Sequence, residues 1–209
     1  MNIWVLLQGF GLGASMIIPI GAQNAFVINQ GIKRQHHLSV AAICSVCDIL
    51  FISAGVFGGG ALLAANPTLL SVITLGGIAF LTLYGFASLR RAWHTQSNHI
   101  ETDSRKMTFR MVISAAFAVT VLNPHVYLDT VVVLGSIGGK YAYDDRIAFA
   151  LGTMLASLTW FFGISILAAR MANVLSRPRV QQGIDIVIGF VMLAIAFQLA
   201  KTLVHIDGV

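Results

Sequence analysis

Residues Met111–Leu134 read MVISAAFAVTVLNPHVYLDTVVVL. A helix rises 1.5 Å per residue, so about 20 apolar residues cross a hydrocarbon core of roughly 30 Å. This stretch is long and apolar enough, yet it holds Asn123, Pro124, His125 and the carboxylate of Asp129. An acidic side chain at bilayer depth costs roughly 2.5–3.5 kcal/mol on insertion scales. Asp48 stands in a second apolar stretch, about Leu38–Ala65. Two such charges are most simply explained if they hold a cation, carry a proton, or do both.

The rest of the chain supports a membrane setting. Of 209 residues, 57% are hydrophobic and 10% charged, and the mean hydropathy is +0.83. Soluble domains carry about 25% charged residues, so this composition cannot cover a water-exposed globule. Six apolar segments are predicted: Ile3 into the twenties, Leu38–Ala65, Leu69–Leu89, Met111–Leu134, Ile147–Ala169 and Ile184–Leu203. The expected fold is an all-α integral membrane bundle of six helices in one domain, residues 1–209. No basic region precedes the first segment, so it reads as retained rather than cleaved.

Charge sets the topology. Lys33, Arg34, Arg90, Arg91, Arg105, Lys106, Arg110, Arg170, Arg177 and Arg179 fall in alternate linkers. Only Lys140, Arg146 and Lys201 fall on the opposite side. Basic loops stay in the cytoplasm, so with six spans both termini face outward. If the first segment is re-entrant, there are five spans and the N-terminus is cytoplasmic. The net charge of +5 belongs to these loops and does not indicate nucleic acid.

The first segment contains no charge up to Ile32 and breaks its pattern at Pro19-Ile20-Gly21-Ala22-Gln23-Asn24. Proline removes a backbone donor and glycine loosens a helix. A helix break is expected there, facing protein or a water-filled cavity. Pro124 predicts a second break. A shift of 105 residues lays Pro19 on Pro124 and Asn24 on Asp129. This suggests two inverted three-helix repeats, 1–89 and 111–204, joined by the 90–110 linker, with a midplane site between broken helices 1 and 4.

Gly55 and Gly59 lie near the Asp48 face of their helix and suit close helix packing, which directs Asp48 into the bundle. His125 and Asp129 are spaced to meet on one helical face. A structural reading of both aspartates stays open: Asp129 pairs only with His125, and Asp48 accepts a hydrogen bond from Asn24 or Gln23. His125 reads equally as a satisfied core histidine or a proton relay. The Gly9/Gly13 and Gly135/Gly139 spacings suit contacts within a protomer or between protomers of a homo-oligomer. Cys44-Ser45-Val46-Cys47 permits thiol redox chemistry or soft-metal binding, but small buried cysteines are commonly packing residues. His36 and His37 read as cytoplasmic loop. No cofactor or metal is expected.

These segments together resemble the LysE superfamily of amino-acid exporters, most closely its arginine-exporting branch. The match is carried by Pro19-Ile20-Gly21-Ala22-Gln23-Asn24-Ala25-Phe26-Val27-Ile28-Asn29-Gln30-Gly31, by Asp48, and by Leu122-Asn123-Pro124-His125-Val126-Tyr127-Leu128-Asp129-Thr130. Ala22 departs from the second proline usual there. The resemblance implies a non-enzymatic exporter in a bacterial inner membrane. Arginine is the first expected substrate, then lysine and the analogue canavanine. Asp48 and Asp129 fall where that branch carries its intramembrane acidic pair.

Arginine cannot shed its charge in water. Two carboxylates suit it, one for the guanidinium and one for the α-amino group or a proton. Gln23, Asn24, Asn123 and amides at a broken helix end are candidate donors to the α-carboxylate. Moving a positive charge outward costs about 2.3 kcal/mol per 100 mV, so proton antiport is expected. The alternatives are export of a neutral amino acid or a metal cation, or a membrane thiol oxidoreductase using Cys44 and Cys47.

Overall fold

Helix α1 (Ile3–Ile17) starts at Asn2, whose side chain accepts the Trp4 amide at 3.1 Å. It ends just before Pro19, which has no amide hydrogen to continue the ladder. Extended backbone at Gly21 starts α2 (Ala22–Lys33), and the two helices are bent by 80°. Arg34 and His36, both at positive φ, turn the chain into α3 (His37–Val56). His37 is therefore the first residue of a helix rather than loop, and its Nδ1 lies 2.8 Å from Ser165 Oγ.

The computed structural model describes residues 2–19, 21–58, 67–94, 108–123 and 126–207. The later elements are α4 (Pro67–His94), α5 (Phe109–Val121), α6 (Tyr127–Leu134), α7 (Gly135–Gly138), α8 (Tyr143–Arg170), α9 (Ala172–Leu175) and α10 (Pro178–Asp207). No strand occurs among the described residues. Helix α4 runs on to His94, which puts Arg90 and Arg91 on a helix instead of in the linker. Helix α6 is wound as a π-helix, a form that appears often at functional sites.

Among the described residues, α3, α8 and α10 are each long and apolar enough to cross a membrane. The bent α1–α2 pair makes a fourth if counted as one span. Trp4, Leu83, Phe190 and Phe197 stand exposed on outer faces, which suits lipid as the surrounding solvent.

Packing sorts the helices. Helices α1 and α2 lie on α8, while α5 and α6 lie on α3. Helix α3 packs on α8, and α4 on α10. The α1–α2 pair follows α8 along its length. Gly9 meets Phe149, Gly13 meets Thr153, the Asn24 side chain meets Trp160, and Gly31 meets Ser165 and Ala168. A Cβ on Gly9 would run into the Phe149 carbonyl oxygen, and one on Gly152 into that of Leu6. These helices touch backbone to backbone, an approach only glycine permits. Gly55 makes the same approach to Thr130 and Gly135. Gly59 lies outside the described residues.

Among the described residues, two hydrophobic clusters divide the core. One joins Phe26, Val40, Cys44, Leu81, Phe161 and Met192. The other joins Ile52, Val56, Leu134, Ala148 and Phe149. Asp48 falls on α3 between the stretches that feed these two clusters.

Candidate functional site

Each break leaves helix-end carbonyls that need donors in a water-poor interior. At the first, Asn24 reaches back. Its Nδ2 donates to Ile17 and Pro19 carbonyl oxygens, both at 2.8 Å, while its Oδ1 accepts from Trp160 Nε1 at 3.0 Å. At the second, the Tyr127 hydroxyl donates to the Val121 carbonyl at 2.8 Å. A side chain from the following helix closes the end of the preceding one in both cases. Gln23 Nε2 then links the breaks by donating to Thr120 Oγ1 at 3.0 Å.

Asp48 is 3% exposed and accepts a hydrogen bond from Ser157 Oγ of α8 at 2.8 Å. The Gln23 amide is a second polar neighbour of this carboxylate. Asp129 is half-buried on the π-helical turn. Both carboxylates line one cavity of about 420 Å³, together with Pro19, Gly21, Gln23, Asn24, Asn123 and Thr130. Small-molecule sites span about 300–1,000 Å³, so an amino acid fits. The cavity reaches Leu134 and Ser15. On the Val40 side of Asp48, α3 contributes Val40, Ala41 and Cys44 to the first core cluster.

The structure therefore brings Asp48, Asp129, Asn123, Gln23, Asn24, Pro19 and Gly21 to one wall system. Pro124 and His125 lie outside the described residues. Asn24 lines the cavity while its Nδ2 donates to the carbonyls at the break. Cys44 and Cys47 are buried free thiols. Neither lines the cavity, and Cys44 accepts a weak bond from Thr120 at 3.8 Å. Ser157 was not singled out by the sequence. The sequence offers only the spacing of Thr153, Ser157 and Ser165, too common in an apolar helix to mark a site; the structure buries all three on α8.

Apolar spanning helices around a cavity with two carboxylates define a multi-pass membrane translocator. The LysE type translocator family model matches residues 14–202, and the chain belongs to this family; it is a transporter, not an enzyme. Arginine exporter protein ArgO of Salmonella typhimurium (strain LT2) is 52% identical over 93% of this chain and 92% of its own. Arginine exporter protein ArgO of Pectobacterium atrosepticum is 52% identical over 94% and 97%. No solved structure matches the chain.

Proposed function

We propose that this protein exports L-arginine, with lysine and canavanine as further substrates, from the cytoplasm across a bacterial inner membrane by proton antiport. The observation that carries this reading is the cavity at the meeting of two broken helices, with Asp48 and Asp129 on its wall. The names of the relatives agree with it. Asp48, held by Ser157, acts as the central counter-charge. Asp129 takes a proton and the substrate cation in turn, with His125, four residues earlier in the sequence, as a relay. Asn123 serves the α-carboxylate, joined by Gln23 when its amide exchanges its bond to Thr120 for the substrate.

Six spans in one domain, built as inverted repeats 1–89 and 111–204 around the 90–110 linker, form the scaffold. The pairing supports this. Exchanging first-half for second-half helices turns the α1–α2 contact with α8 into the α5–α6 contact with α3, and leaves α3–α8 and α4–α10 unchanged. The even progress of α1–α2 along α8 favours a bent span over a re-entrant loop, with both termini outside. The basic linkers then place the Val40 end of α3 in the cytoplasm. The cavity extends away from that end, as in an outward-facing state.

The test is efflux of labelled arginine from preloaded vesicles under an imposed pH gradient. Gradient-driven efflux that vanishes with Asp48→Asn and with Asp129→Asn is expected. If both variants keep proton-coupled efflux, the reading fails.

A further inference from the structure

At the end of the bundle marked by Lys33, α2, α4 and α10 meet around a second carboxylate site. Arg91 of α4 places Nη2 3.1 Å and Nε 3.3 Å from Asp185 Oδ1 of α10. The same Nη2 donates to Ser88 Oγ at 2.7 Å, and the guanidinium carbon lies 5.9 Å from the centre of the Tyr84 ring. A carboxylate, a hydroxyl and an aromatic face together form a built guanidinium site. Asn29, Ile32, Lys33, Gln181 and Ile184 complete a pocket of about 60 Å³ around Arg91 and Asp185. That space is too small for a free amino acid, so a second guanidinium enters only where Arg91 leaves.

The site lies on the line to the main cavity. Asp185 and Ile195, which touch the two pockets, are ten residues apart on α10, or about 15 Å. Asn29 and Asn24 stand in the same relation on α2, five residues apart. Between the pockets lie Phe26, Tyr84, Ile188 and Met192 of the core. The Tyr84 ring packs edge-on against Phe26 at 6.3 Å, so it touches both the ion pair and the apolar plug.

We infer that Asp185, Ser88 and Tyr84 form a cytoplasmic entry site for the guanidinium group of the substrate, and that Arg91 occupies it as a tethered stand-in that latches α4 to α10. This rests on the arginine-export reading. An incoming substrate side chain displaces Arg91 from Asp185, while Lys33 on the same rim faces the α-carboxylate. The exchange replaces one ion pair with another, so opening needs no carboxylate to be left bare. The two contacts to Asp185 and the flat aromatic face favour guanidinium over ammonium, which makes this a point of discrimination between arginine and lysine.

The test is uptake of labelled arginine and lysine into inside-out vesicles carrying the full chain, where the cytoplasmic end faces the bath. Removing the competitor with Arg91→Ala lowers the KM for arginine about 5-fold, and Arg91→Lys gives an intermediate value. Removing the site with Asp185→Asn raises that KM about 10-fold and erases the preference over lysine; Asp185→Glu restores part of both. A purely structural ion pair would move both neutral variants in the same direction. That result, or no KM change in either, overturns the inference while wild-type arginine transport leaves the export reading standing. Absence of arginine transport by the wild type sinks both.

Discussion

The two helix breaks meet one need with different chemistry. At the first, a single amide, Asn24, serves two carbonyls and Trp160. At the second, Tyr127 serves the carbonyl, and the position matching Asn24 in the 105-residue shift is Asp129, on the cavity wall. The first break spends its polar side chain on architecture. The second gives that duty to an aromatic hydroxyl and leaves a carboxylate on the cavity wall. The acid of the first half sits instead on the unbroken helix α3, as Asp48.

This contrast can be broken experimentally. The largest effect is expected from Asp129→Asn or Asp48→Asn, each lowering arginine efflux on the order of 100-fold or more, because a buried substrate charge then lacks its partner. Transposing the acid, Asn24→Asp with Asp129→Asn, should not restore efflux, since an aspartate cannot donate to Ile17 and Pro19. Rescue by the transposition would show that the two breaks are interchangeable.

Next comes Asn24→Ala, which leaves two carbonyls without their donor and should destabilise by about 2–4 kcal/mol. Thermal melting in detergent measures this. Tyr127→Phe removes one bond and should cost less, about 1–2 kcal/mol, by the same measurement. If Tyr127→Phe proves the more damaging, the second break carries more of the architecture than the geometry assigns.

The smallest effect belongs to Ser157→Ala. It removes one of the donors to Asp48, and about 1–2 kcal/mol corresponds to roughly a 10-fold rise in KM. A loss as large as that of Asp48→Asn would move Ser157 from a supporting role into the cation site itself.

Much of the site was legible because rare residues stand out against an apolar background. Asp48, Asp129, Pro19 and Asn123 each violate the composition of a spanning helix, and all four line the cavity. Ser157 and Thr120 were not legible, because a hydroxyl is cheap in a helix and its partner lies far away in sequence. Asp185 drew no reading from the sequence, where it is a lone acid at the start of the last apolar segment. Only its pairing with Arg91, 94 residues earlier, makes it a site. The role of Asn24 was hidden for the same reason: an amide near a break can face cargo or backbone, and the sequence does not say which.

The sequence by itself determined the membrane setting, the break at Pro19 and the presence of two carboxylates in apolar stretches, because transfer energies and proline sterics act locally. The tertiary structure decided what those groups do. Hydrogen bonds are short and directional, so whether a polar atom serves a carbonyl, a carboxylate or a cavity depends on which helix lies within about 3 Å. That neighbour is chosen by glycine seams such as Gly9–Phe149 and Gly55–Thr130, where backbone shape sets the approach.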